Sequence, residues 1–314
     1  MAGLISPNQI ARIANADLLS DLDLSGDELH YLLDLGLEVK QAPRAWAHAL
    51  TGKYLALLFE KASLRTRLTF ELAIKQLGGD SVCMDGPIGG REPLKDVARN
   101  LDRWVNAIVA RTFSQETIDQ LAQWSSVPVI NALSDRYHPC QALADVLTLK
   151  ERFGDLRGLK LAFVGDGNNV AHSLMLTGTR LGMNVAIGCP RGYEPDPEII
   201  GQAEGLAATS GCTLSISNDA LAAVDGAHAV YTDVWASMGQ ENEAARRREA
   251  FRDYQVDEAV FGLARPDAVF MHCLPARRGE ETTDGVMECS RSVVFDQAEN
   301  RLHAQKALLL MMLT

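Results

Sequence analysis

The chain has 314 residues, 47% of them apolar and 23% charged, ordinary proportions for a globular protein with room for two domains and a core that needs no disulfides. Its formal net charge of −11, with no basic tail or stripe against it, excludes non-specific nucleic-acid binding. An anionic small molecule stays possible only where arginines, lysines or helix N-termini cluster locally. The six cysteines (Cys83, Cys140, Cys189, Cys212, Cys273, Cys289) are widely spaced and form no C-x-x-C pair. That usage speaks against a disulfide framework or a zinc site and for a reducing compartment. The first residues lack the charged start and apolar stretch of a signal peptide, and no apolar run approaches the roughly 20 residues of a membrane span. A cytoplasmic protein is expected, with no membrane or nucleic-acid partner.

Short apolar runs alternate with helical spacing along the chain. Strands are predicted at 54–59, 81–84, 107–111 and 127–131, then at 160–164, 184–188, 213–217, 229–232 and 268–272. Between them lie amphipathic segments, among them 94–104, 115–124, 169–181 and 255–263. Nearly uninterrupted apolar strands alternating with helices predict parallel sheets covered by helices on both faces. The expected architecture is α/β, with two similar domains joined by interdomain helices. The first is placed at 1–150 and the second at 151–296, the join falling in the helical stretch 140–154. A C-terminal helix over 297–314 is expected to pack back on the first domain.

Ligands of such sheets sit at the carboxyl ends of the strands, and polar clusters fall there. After the strand 54–59 come Ser63, Leu64, Arg65, Thr66 and Arg67, at the start of a helix whose free N–H groups would point at an anion. Two arginines in a first turn oppose the helix dipole, and a phosphate would reconcile them; a plain N-cap with solvent-facing arginines is the alternative. Arg111 ends the strand 107–111, where a surface ion pair is equally open. His138 and Gln141 flank Pro139 at a helix start, able to polarise a carbonyl or simply to cap. "KLAFVGDGNNVAHS" has the strand–glycine–helix order of a dinucleotide fingerprint, but the next strand ends in Gly188-Cys189-Pro190 instead of a ribose-holding acid. Asn168 and Asn169 offer amides there. Asp233, Ser237 and Met238 follow one late strand, and Cys273 and Leu274 follow the last; an acid beside a backbone-rich loop suits a cationic or zwitterionic molecule, although a cysteine is more often a small buried hydrophobe.

Taken in order, "FEKASLRTR", "HPCQALAD", "GDGNNVAHS", "DVWASMGQE", "HCLP" and "FDQAENRLHAQKALL" resemble the aspartate/ornithine carbamoyltransferase family, on the side of its ornithine-specific members. The resemblance runs from about residue 50 to the end. It implies that Ser63, Leu64, Arg65 and Thr66 cradle the phosphate of carbamoyl phosphate. Arg111, His138 and Gln141 would hold its phosphate and carbonyl or amino end, and Arg301 would add a donor. Asn169, Asp233, Ser237 and Met238 would grip ornithine, with Cys273 and Leu274 near the reacting groups. The implied reaction carbamoylates the δ-amino group of L-ornithine, giving L-citrulline and phosphate, within arginine metabolism. Cys273, His138, Arg111 and Asp233 are its expected catalytic residues. It needs no cofactor and no metal. Two substrates meeting between domains imply closure, and the family implies a homotrimer or a multiple of trimers.

The chain departs from the family in the loop "MDGPIGGREPLKD", where Pro87 stands in place of an expected glutamine, and in "HCLPARRG", where Arg277 replaces a frequent histidine. A sister enzyme acting on an acylated ornithine or putrescine is the nearest alternative. A nucleotide-binding oxidoreductase and a catalytically silent paralogue are the others.

Overall fold

The computed structural model describes residues 10–14, 16–236 and 241–314. These form two compact units, one running up to Leu147 and including Glu299–Thr314, the other Thr148–Ala298.

In the first unit the strands are β1 (Tyr54–Phe59), β2 (Asp80–Asp85), β3 (Ala107–Arg111) and β4 (Val129–Leu133). They make one parallel sheet of four strands in the order β2-β1-β3-β4. Central β3 is buried along its whole length and β1 is exposed only at Tyr54, whereas edge strand β2 is mostly exposed. That contrast is why β1 and β3 read as apolar runs. The helices are α1 (Gly26–Gln41), α2 (Leu64–Gln76), α3 (Leu94–Leu101) and α4 (Gln115–Trp124). Next comes α5 (Pro139–Phe153), whose last residues continue past Leu147 into the second unit.

The second unit holds β5 (Lys160–Val164), β6 (Asn184–Gly188), β7 (Leu214–Ser217), β8 (Ala229–Thr232) and β9 (Val269–His272). They form a parallel sheet of five strands in the order β7-β6-β5-β8-β9. Its helices are α6 (Asn169–Arg180), α7 (Pro197–Ser210), α8 (Ala220–Val224), α9 (Ala244–Phe251), α10 (Glu258–Phe261) and α11 (Asp284–Met287). The last helix, α12 (Val294–Leu313), begins in this unit and ends in the first.

Each sheet reverses its winding once, between β1 and β3 in the first and between β5 and β8 in the second. The chain ends leaving such a pair of strands open a crevice at their carboxyl ends. Those ends are residues 60–66 with Arg111, and residues 165–169 with Asp233.

The structure corrects several boundaries. The strand expected at 127–131 is β4, shifted to 129–133, because Pro128 has no N–H for the ladder. The segment 94–104 stops at Leu101, where Asp102 turns its carboxylate to the Ser126 and Val127 N–H groups. The segment 255–263 is helical only over Glu258–Phe261, since Asp257 caps it by accepting from the Val260 N–H. The C-terminal helix starts at Val294 instead of 297. The sequence reading named no helix at α1, α7 or α9. Two of these carry legible start signals: Ser25 and Glu28 form a capping box on α1, and Asp196-Pro197 opens α7. No described helix is long and apolar enough to cross a membrane.

Candidate active site

In the first unit the polar turn after β1 starts α2. Ser63 is its N-cap and accepts from the Thr66 N–H at 3.2 Å, a cap contributing about 1 kcal/mol. No acidic residue stands in the first turn. The dipole argument applies to only one of the two arginines. Arg67 is answered by Glu71 at 3.0 Å and Asp85 at 2.6 Å, both partly exposed, so it needs no ligand. Arg65 is half-buried and Leu64 is 70% exposed. Thr66 is fully buried, and its hydroxyl accepts from the Arg301 guanidinium of α12.

Arg111, His138, Gln141 and Arg301 are all buried in this unit. Burial, and then the charges of Arg301, Arg111 and Lys61, hold the His138 imidazole well below its ordinary pKa. His138 is therefore neutral near pH 7, a donor of N–H with no charge of its own. Gln141 is oriented by Asp145 one helical turn on, its Nε2 donating to Oδ1 at 2.7 Å. The site thus gathers permanent cations around one neutral imidazole, at the switch point of an apolar sheet. Lys61 belongs to it and was missed by the sequence reading. It is half-buried over the Phe113 ring, and burial, then Arg111, lowers its pKa. Its position two residues after the end of β1 was the available signal.

The second unit builds a site of opposite sign. Asp233, following β8, is buried and accepts on both oxygens. The Cys273 thiol donates to Oδ1 at 3.0 Å, the Val234 N–H to Oδ1 at 2.8 Å, and Asn168 Nδ2 to Oδ2 at 2.9 Å. The Asn168 oxygen caps α6 by accepting from the Val170 and Ala171 N–H groups. Those are the donors a pyrophosphate would require, so the cap argues against the dinucleotide reading. The glycines of the G-D-G turn have a local reason instead. Gly165 has φ of +147°, and a Cβ on Gly167 would lie 2.2 Å from the Pro195 nitrogen. Asn169 opens α6 half-buried. Ser237 and Met238 lie outside the described residues.

Beneath this turn Asp166 and Arg247 form a buried ion pair at 2.8 Å, and Arg247 also donates to the Trp235 carbonyl. The two partners respond unequally. Burial outweighs the guanidinium and pushes the Asp166 carboxyl up to about 6, while for Arg247 the neighbouring carboxylates outweigh burial and the net direction is up. Sequence spacing gave no hint of this pair, which joins residues 81 apart.

Leu274 leaves β9 in the left-handed region at φ +58°, a conformation that costs a non-glycine residue about 1 kcal/mol or more. Asp233, His272 and Cys273 bring one potential ligand atom each within 4.8 Å of one another. Both nitrogens of His272 are already engaged, however, one by the Leu274 N–H and one by Glu281. A cation there would have to break one of those bonds.

Buried arginines around a neutral imidazole beside one parallel sheet, and an acid–thiol pair beside a second, are the arrangement of a group transferase with an anionic donor. Over residues 16–151 the chain matches the carbamoyl-P binding domain of aspartate/ornithine carbamoyltransferases, and over 157–312 their Asp/Orn binding domain; it belongs to that family. It is 50% identical to the ornithine carbamoyltransferase of Parasynechococcus marenigrum, covering 98% of this chain and 96% of that protein. The ornithine carbamoyltransferase structure from Pyrococcus furiosus superposes with a TM-score of 0.94 at 47% identity, over 97% of this chain and 99% of the other. An acetylornithine transcarbamylase complexed with acetylcitrulline is also similar, but at 34% identity and a TM-score of 0.86, over 95% and 99% of the two chains.

Proposed function

We propose that this chain transfers the carbamoyl group of carbamoyl phosphate to the δ-amino group of L-ornithine, releasing L-citrulline and phosphate, as a step of arginine metabolism. The observation that carries the reading is the division of charge. Arg65, Arg111 and Arg301 with the α2 N-terminus suit a phosphate, and buried Asp233 suits an ammonium group.

The neutral amine attacks the carbamoyl carbon, the carbonyl oxygen becomes an oxyanion, and the C–O bond to phosphate breaks. His138, neutral and held among cations, donates to the oxygen while Arg111 opposes its charge. Ser63, the Leu64 backbone, Arg65, Thr66 and Arg301 receive the departing phosphate, with Gln141 on the carbamoyl amino end. Asn169, Asp233, Ser237 and Met238 hold ornithine. Cys273 and Leu274 are assigned to the reacting groups, and the amine proton leaves by Asp233 or Cys273. On this reading the unit up to Leu147 serves carbamoyl phosphate and Thr148–Ala298 serves the amino acid. The six widely spaced free cysteines support a reducing, cytoplasmic setting for the reaction.

Purified protein with carbamoyl phosphate is expected to form a ureido product with ornithine and not with N-acetylornithine, putrescine or aspartate. Arg65→Ala is expected to lose that activity. A preference for N-acetylornithine would overturn the charge argument at Asp233.

We infer further that the chain works as a homotrimer or a multiple of it. On α2, Leu64, Leu68 and Leu72 make an i, i+4, i+8 stripe exposed by 70%, 46% and 45%, and edge strand β2 shows Val82 and Met84 at 63% and 64%. Beside them the loop carrying Pro87 borders a cavity of about 240 Å³ with Trp104. Covering the part of each side chain still exposed gains roughly half to two-thirds of the 1.5–3 kcal/mol for full burial, and an unpaired sheet edge invites pairing. Light scattering is expected to return at least three chain masses, and Leu68→Glu with Leu72→Glu to return fewer. A monomeric parent protein would remove the proposal.

A further inference from the structure

Directly behind Cys273 and Leu274 lies a pair of ionisable side chains with no solvent exposure. Nε2 of His272, the last residue of β9, is 3.1 Å from Oε1 of Glu281. The Leu274 N–H donates to the other ring nitrogen, Nδ1, at 2.8 Å. A backbone amide can only donate, so Nδ1 is the bare nitrogen and the ring proton sits on Nε2, given to Glu281. The same Glu281 oxygen accepts the Arg277 N–H at 2.5 Å. Gln297 accepts the His272 N–H at 2.9 Å. The segment leaving the sheet is therefore held at His272, Leu274 and Arg277 by side chains that take its backbone donors.

Such a pair is a poor choice for stability alone. Desolvating a carboxylate often consumes what its interactions return, and an apolar replacement commonly stabilises as well. Here the other Glu281 oxygen is buried with no hydrogen-bond partner among the described residues. What the pair supplies is direction. It turns the Leu274 N–H inward and holds that residue at its φ of +58°, adjacent to the thiol that meets Asp233.

We propose that His272 and Glu281 are positioning residues for the transfer reaction, fixing Cys273 and the Leu274 backbone in the geometry the reacting groups need. The inference rests on the carbamoyl-transfer reading, which alone gives Cys273 and Leu274 a substrate.

Two substitutions separate positioning from plain stability. His272→Asn keeps an acceptor where Nδ1 stands and loses the link to Glu281. His272→Gln reaches the place of Nε2, keeping that link and leaving the Leu274 N–H unmet. With ornithine and carbamoyl phosphate, kcat is expected to fall roughly 10–100-fold in His272→Gln and several-fold less in His272→Asn, although the latter leaves Glu281 with only the Arg277 N–H and unfolds at no higher temperature. Glu281→Gln, which keeps an acceptor oxygen, is expected to stay nearer the parent than Glu281→Leu. An active parent whose two His272 variants lose kcat equally, or only in step with their unfolding temperatures, would overturn the positioning role alone. A parent inactive on ornithine would overturn it together with the reaction on which it rests.

Discussion

Arg111→Ala is expected to lower kcat/KM for carbamoyl phosphate roughly 10³-fold, the effect of removing a pre-aimed cationic donor from a water-poor site. Arg111 is buried at the end of β3, so its charge acts in low dielectric instead of being screened. Lysine should restore little of the loss, since it offers a point charge where a planar fork is required. The variant should also report on His138. In the parent, burial, then Arg301, Arg111 and Lys61, hold that imidazole well below 6.5. Deleting one of the cations lets it rise, so the acid limb of the activity profile should move to higher pH. Stability follows the same linkage. A histidine depressed in the native state contributes stability above the unfolded value of about 6.5 that is lost as pH falls, because only the unfolded chain then takes up the proton. Arg111→Ala should weaken that acid-side loss. Rate–pH profiles and thermal unfolding at several pH values check both points. An unchanged acid limb with lost activity would show that Arg111 binds phosphate without sharing a field with His138.

Asp233→Asn is expected to raise the KM for ornithine roughly 10²-fold while moving the KM for carbamoyl phosphate little. Two physical losses combine. The charge that suits an ammonium disappears, and charge-assisted bonds are about twice as strong as neutral ones. The new amide also cannot serve the existing contacts, because both Asp233 oxygens are accepting, from Cys273 and Val234 on one side and Asn168 on the other. Whichever way the amide turns, a donor meets a donor, leaving a buried group unmet. Steady-state kinetics with each substrate varied in turn is the check. A loss shared equally by both substrates would move Asp233 from the amino-acid site to a general structural role.

Much of this was legible in order along the chain. The apolar runs at 54–59, 107–111 and 160–164 became the central strands β1, β3 and β5, because strands buried on both faces cannot carry polar residues. Polar clusters at their carboxyl ends followed from the same logic, so Thr66, Arg111, His138 and Asp233 could be named from sequence and are found buried beside apolar sheets. Motif order pointed to the family with which the chain groups. The half-buried Arg67 of the opening turn was counted with Arg65 as an arginine that a phosphate would reconcile with the helix dipole. Composition could not tell that Arg67 meets Glu71 and Asp85, the second of which is brought close only by the pairing of β2 with β1.

The information read along the chain is local: which segments are strands or helices, where their polar ends fall, and which charges stand at those ends. Hydrophobic period, turn chemistry and residue type act within a few positions, and a single sequence displays them directly. Partnership across distance comes from folding alone. The Arg301–Thr66 contact, the Asp166–Arg247 pair and the thiol of Cys273 on Asp233 join residues 235, 81 and 40 apart. Side-chain type announces that a buried charge needs a partner, but burial and strand order choose which one, and they exist only once the sheets have formed.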